Sequence, residues 1–154
     1  LKNINSNIEF SSAFIIGYPE ENDNDFKNTI DLIDKIRFIN SYSFIFSSRP
    51  GTVAADLELV DKNKSKKRLE IIQKKLFDNQ IKKNKSLEHT IVKVLVENRM
   101  KDGIKLFGRT EYMTSVIFEG SLENIGKIVE VKITGSNQNS LFGELNKDYK
   151  KKVA

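Results

Sequence analysis

The sequence contains no cysteine and a single histidine, His89. The first absence excludes a disulfide scaffold, a thiolate zinc site and a cysteine nucleophile within this chain. The second excludes a metal site built from several histidines. Long apolar runs are also missing. Stretches such as Phe14 to Ile16 fall far short of the ~18–20 residues that span a bilayer, and no signal peptide is visible. The expected location is cytoplasmic. The chain begins with Leu1 rather than methionine, which leads to the expectation of a fragment of something longer.

Enough apolar material is present for packed cores: 38% of the residues are hydrophobic and ten are Phe. The formal net charge of +5 is unevenly spread. Residues 1–61 hold five Lys or Arg against ten Asp or Glu, and residues 62–154 hold 21 against 11. The halves thus carry −5 and +10. A basic half of this kind suits a polyanionic partner or a lysine-rich solvated surface.

Taken in order, residues 8–16 read as a buried strand that stops at Gly17, Tyr18 and Pro19. An acidic loop follows, with Asn22 or Asp23 as N-cap. Phe26, Ile30, Ile33 and Ile36 then recur at helical spacing, so residues 23–38 form an amphipathic helix. Tyr42 to Phe46 is a second strand. Strand, helix and strand make a βαβ unit with two parallel strands, which needs further strands from elsewhere. Residues 56–63 are a polar connector. Residues 64–86 read as a long helix with Leu69, Ile72, Leu76 and Ile81 on its apolar stripe. Lys64, Lys66, Lys67, Arg68, Lys74, Lys75, Lys82, Lys83 and Lys85 cover its other faces, as a solvated back or a face toward nucleic acid. From Thr90 the period changes to two. Five short strands follow, over 90–97, 104–110, 115–118, 126–134 and 141–145, punctuated by glycine. This pattern fits a small closed barrel of the OB type, a fold that binds single-stranded nucleic acid on one face. Lys147 to Lys152 read as a frayed tail.

Gly17 at the carboxyl end of a parallel strand lies where α/β barrels carry their sites, and glycine lets a ligand approach the backbone. Arg49 sits at the matching end of the next strand. It can pair with a carboxylate or phosphate of a ligand, or with an acid of its own loop.

Four segments carry a resemblance. Residues 14–21 (FIIGYPEE) resemble a strand-end VGFPGET segment, with a glycine of the turn replaced by Glu20. Residues 42–55 (YSFIFSSRPGTVAA) resemble FxYSxRPGTxAA. Residues 106–111 (LFGRTE) and 139–144 (NSLFGE) resemble a C-terminal TRAM domain. Together they are similar to the radical S-adenosylmethionine methylthiotransferases over about residues 8–146, and most similar to the tRNA-modifying branch.

The resemblance implies an α/β plus all-β chain. Residues 1–63 would be the C-terminal βαβ part of a radical SAM partial (β/α) barrel and 64–86 a connecting basic helix. Residues 87–146 would be the five-stranded OB-like TRAM barrel and 147–154 a basic tail. It implies a transferase that, when whole, uses S-adenosylmethionine and two [4Fe–4S] clusters. That enzyme would add a methylthio group to C2 of N6-isopentenyl-adenosine beside the anticodon. The cluster cysteines would lie upstream, so this chain alone would be inactive. Ile15, Gly17 and Glu21 would border S-adenosylmethionine, and Arg49 would be a positioning cation at the reaction centre. Lys105, Phe107, Arg109, Ser140 and Phe142 would hold the tRNA anticodon arm, although Phe107 and Phe142 equally suit a barrel core. The expected partners are the tRNA anticodon arm, S-adenosylmethionine and the upstream domains of the same protein, with no membrane. The alternatives are a stand-alone RNA-binding TRAM module and a fragment of the ribosomal-protein aspartate methylthiotransferase. The +10 half argues mildly against the latter.

Overall fold

The computed structural model describes residues 1–146; the expected tail, Lys147 to Lys152, lies outside them. The chain divides into two compact units, Leu1–Asn79 and Gln80 onward. Each is described by itself.

In the first unit, β1 (Ala13–Ile16) and β2 (Tyr42–Ile45) pair in parallel, with Ile15 opposite Phe44. The helix α1 (Asp23–Ile36) connects them. It starts where expected because Asn22 builds a capping box. The Asn22 side chain accepts from the Asn24 and Asp25 backbone, and Asp25 accepts from the Asn22 backbone at 3.1 Å. It ends at Arg37, whose φ of 59° turns the chain left-handed. The helix α2 (Lys62–Ser86) begins on Asp61, which accepts the Lys64 N–H at 2.8 Å. One face of the two-stranded sheet is covered: Phe14, Ile16, Ile33, Ile72 and Leu76 form a buried cluster. The expected strand over residues 8–16 is shortened to its last four residues. Ile8 to Phe10 lie outside the ladder, although the Phe10 carbonyl accepts the Ile39 N–H at 2.9 Å. The division between the units falls inside α2, so Ile72 and Leu76 belong to the first core and the last turns to the second unit.

The second unit is a closed barrel in the order β3-β4-β5-β7-β6. Its strands are β3 (Ile91–Arg99), β4 (Lys105–Thr110), β5 (Ser115–Glu119), β6 (Ile128–Ser136) and β7 (Ser140–Leu145). Strict alternation sends Val94, Val96, Leu106, Val116, Phe118, Val129, Val131, Ile133 and Leu141 into one core. All five strands expected from the sequence are present, each within about two residues of its expected ends.

Two glycines let the barrel close. The nine-residue strands β3 and β6 each shift register once, between Val96 and Asn98 and between Ile133 and Gly135. Opposite each bulge stands a glycine: Gly108 pairs with Val96 and Gly143 with Ile133. A Cβ on Gly108 would collide with the Leu95 carbonyl, and one on Gly143 with the Lys132 carbonyl. Bulges coil the long strands, and glycine accepts the close backbone approach that results. Gly143→Ala is expected to destabilise the barrel by about 1–3 kcal/mol, the usual range for overpacking. Gly135→Ala, whose Cβ meets open space, should stay within about 0.5 kcal/mol of the parent. Urea unfolding of both variants checks this; equal losses would reject the closure role of Gly143.

Candidate nucleic-acid interface and strand-end site

Three outward rows run across β4, β5 and β7. Lys105 lies opposite Glu119, and Glu119 opposite Glu144. Phe107, Ile117 and Phe142 form the middle row, and Arg109, Ser115 and Ser140 the third. The five residues singled out from the sequence, Lys105, Phe107, Arg109, Ser140 and Phe142, therefore share one face. Neither Phe107 nor Phe142 belongs to the barrel core; Phe142 is 38% exposed and Phe107 half-buried. The core alternative for these two is thereby removed. Adjacent strands lie about 4.8 Å apart, so the two rings stand roughly 10 Å from each other across Ile117. Ser115 and Ile117 were not singled out from the sequence. The alternation of β5 was visible in the sequence, but its place between β4 and β7 was not.

The turn leading into β7 is braced from within the unit. Asn84, fully buried on α2, donates to the carbonyls of Asn137 at 2.8 Å and Gln138 at 3.1 Å. The Asn137 side chain in turn accepts the Ser140 N–H at 2.7 Å.

The face is not strongly basic. Lys105, Arg109 and Lys132 are matched by Glu97, Glu119 and Glu144 on the same and adjoining strands. The charge asymmetry of the sequence also resolves differently in three dimensions. The first unit holds twelve Lys or Arg and twelve Asp or Glu, and the second fourteen against nine, so the units carry 0 and +5. Cations of α2 answer acids of the first unit. Lys64 pairs with Asp23 at 2.8 Å and Lys75 with Asp34 at 2.7 Å.

Arg68 corrects the picture of a uniformly solvated helix back. It is 3% exposed. Its Nη1 donates to the Glu21 carbonyl at 3.0 Å and to Glu21 Oε1 at 2.7 Å, and its Nη2 donates to Asp23 at 2.6 Å. Its guanidinium also lies 5.0 Å from the Phe26 ring centroid. The hydrogen bonds from Lys64 and then Arg68 hold the Asp23 carboxyl below its ordinary value.

The strand-end loop is organised by this arginine. Glu21 Oε2 accepts the Gly17 N–H while Oε1 takes Arg68, so both carboxylate oxygens are engaged inside the chain. Gly17 is buried with φ +70°, and a Cβ there would overlap the Ser65 side chain on α2. The close approach that requires glycine is thus to a helix of the same unit. Ile15 is 50% exposed on the uncovered sheet face, beside Tyr42 and Phe44, whose rings stack at 6.4 Å. Arg49 is exposed in an Arg49-Pro50-Gly51-Thr52 turn. The Thr52 N–H donates to the Arg49 carbonyl at 3.2 Å and Gly51 has φ +79°, the pattern of a type II turn. Arg49 and Glu21 therefore follow β2 and β1, but no contact joins them among the described residues. No group of three or more His, Asp or Glu placed to hold a metal occurs among the described residues.

Residues 85–145 match the TRAM domain model. Over its 154 residues the chain is 74% identical to the tRNA-2-methylthio-N(6)-dimethylallyladenosine synthase of Pelagibacter ubique (strain HTCC1062), covering all of this chain and 34% of that protein. By sequence, the whole of this chain is thus similar to about a third of such a synthase. The synthase of the same name from Ruthia magnifica subsp. Calyptogena magnifica is 47% identical over 146 residues, 94% of this chain and 33% of that protein. That of Histophilus somni (strain 129Pt) is 42% identical over 147 residues, 94% of this chain and 31% of that protein. The chain spans about one third of the length of these relatives.

Replacing Arg68 by Met leaves Glu21, 12% exposed at its side chain, without its counter-charge. A loss of about 3–5 kcal/mol is expected, as for other broken buried pairs, read by urea unfolding of the whole chain. The lowered Asp23 carboxyl gives a signed pH effect. Its contribution is complete above the unfolded carboxylate value of about 3.9 and is lost as pH falls below that through the lower folded value. In Asp23→Asn that acid-side loss should shrink; an unchanged acid unfolding curve would contradict the pairing.

Proposed function

We propose that this chain is the C-terminal part of a tRNA methylthiotransferase, and that it supplies RNA binding and a wall of the S-adenosylmethionine site. The whole enzyme adds a methylthio group to C2 of N6-isopentenyl-adenosine beside the anticodon. The observation that carries this is the 74% identity over the full chain to a protein named for that modification. The βαβ unit then belongs to a radical SAM partial barrel. Its uncovered face, with Ile15, Tyr42 and Phe44, is the side that the rest of the barrel and the cofactor would meet. A cytoplasmic location follows from a tRNA substrate.

The cofactors divide clearly. The chain has no cysteine, so its residues do not fit an iron–sulfur cluster, and both [4Fe–4S] clusters belong to other parts of the enzyme. S-Adenosylmethionine supplies the radical and the methyl group when bound. The residues here suit a supporting role toward it. Ile15 offers an exposed apolar surface to an adenine ring. Gly17 and Glu21 fix the loop that follows, through the Gly17 N–H, Glu21 and Arg68. Arg49 offers a solvent-exposed positive charge at the neighbouring strand end.

On the barrel, unpaired anticodon-arm bases would stack on Phe107 and Phe142. Arg109, Ser115 and Ser140 line one side of that row, and Lys105 stands on the other. The domain limits 1–63, 64–86 and 87–146 would describe the evolutionary pieces, even though α2 packs into both units.

The direct test is the coding sequence upstream of Leu1. An open frame carrying a Cys-x-x-x-Cys-x-x-Cys run is expected, and its absence would reject the catalytic reading. In the whole enzyme, Arg49→Ala should lower turnover or S-adenosylmethionine affinity; no change in either would remove Arg49 from the site. On this chain, Phe142→Ala should weaken stem–loop RNA binding by roughly fivefold or more, the loss of one stacked base.

A further inference from the structure

Glu97 stands apart on β3. Val96 pairs with Gly108 and Asn98 with Phe107, so Glu97 is the extra residue of the bulge, with no partner on β4. A bulge re-aims a side chain. Here it brings Glu97 Oε1 to 3.3 Å from Arg109 Nε, as an ion pair rather than an aligned hydrogen bond. Arg109 meanwhile holds its guanidinium carbon 5.8 Å from the Phe107 ring centroid. The arginine is thus held from two directions, by a carboxylate at its Nε edge and by an aromatic ring beside it. Both charged side chains are part-exposed, at 40% for Arg109 and 31% for Glu97, so the pair stands where an RNA on the Phe107 row would meet it.

Two kinds of RNA make different demands on such a face. A duplex presents phosphates and groove edges, with its bases stacked away from protein, and is bound mainly through charge and shape. An unpaired loop presents base faces, which stack on aromatic rings and on guanidinium planes. A free Arg109 would serve both. An Arg109 already paired with a carboxylate attracts phosphate less, because the two charges nearly cancel at phosphate distance. Its plane remains available beside Phe107.

We propose that Glu97 is a specificity-determining residue of the RNA face: by pairing with Arg109 it selects unpaired loop RNA against duplex RNA. The inference rests on the RNA-binding reading above. Glu97 acts through Arg109 and through the charge it cancels, and the bulge opposite Gly108 is the backbone feature that places it there.

The test uses the whole chain and two probes, an anticodon-type stem–loop RNA and a blunt duplex RNA of the same composition. Affinities are measured over a salt series for the parent, Glu97→Gln, Arg109→Gln and the double variant. Glu97→Gln should raise duplex affinity roughly two- to fivefold, as for release of a surface pair. It should also steepen the salt dependence by about one unit of log–log slope, the equivalent of one further phosphate contact. Stem–loop affinity should change less, so the loop-to-duplex ratio falls. In the Arg109→Gln background the Glu97→Gln effect should vanish. An unchanged ratio and slope in Glu97→Gln would overturn the proposal while leaving RNA binding intact. An effect that persists without Arg109 would overturn it too, because Glu97 would then act as bulk charge. A parent chain that binds neither RNA would overturn the RNA-binding reading and this proposal with it.

Discussion

Barrel closure is the constraint on which the proposed interface depends. Five short strands can bury nine apolar side chains only if the sheet curls until β3 meets β6. The two long strands manage this by taking one bulge each, against Gly108 and Gly143. Once the sheet closes, alternation has no freedom left. Every residue beside a core position on β4, β5 and β7 points outward, and register stacks them into three rows. The outer surface is thus a consequence of the inner one. Phe107, Ile117 and Phe142 are displayed because Leu106, Val116 and Leu141 are buried beside them.

The first unit is held by a different device. Arg68 ties the strand-end loop to α2 through Glu21 and Asp23, and Ser65 fills the space that a side chain on Gly17 would need. A buried ion pair of this kind is a weak source of net stability but a strong constraint on geometry, since breaking it strands a charge. The loop following β1 is therefore fixed from behind, on the side away from the exposed Ile15. That suits a wall whose other side faces a ligand, because the groups that shape it are not the groups it presents.

Much of this was legible in the sequence. Period-two alternation located all five barrel strands, and the Asn22 cap located the start of α1. Lys105, Phe107, Arg109, Ser140 and Phe142 were singled out by resemblance alone, and whether the two Phe faced outward or into the core was left open until the register placed all five in outward rows. What escaped has a common physical reason. Arg68 sits in a lysine-rich run, and no local signal separates a buried arginine from its solvated neighbours; only tertiary contact with residues 47 and 45 positions away does so. The same holds for charge. Halves of −5 and +10 looked like two partners, but α2 is basic partly because it packs on acids of its own unit. Ser115 and Ile117 were missed because strand order, and with it the position of β5 between β4 and β7, is set by closure rather than by local pattern. The strand over residues 8–16 was read too long because apolar residues before Ala13 resemble a strand without pairing as one.

The account centres on one face of the barrel meeting RNA. Titrating the isotopically labelled chain with an anticodon-type stem–loop RNA, and following backbone amide shifts residue by residue, tests that most directly. The account predicts that the largest changes fall on Phe107, Arg109, Ser115, Ile117, Ser140 and Phe142, with small ones at Lys93 and Lys132 around the barrel. Changes concentrated instead on β3 and β6, or spread evenly over exposed lysines, would contradict it.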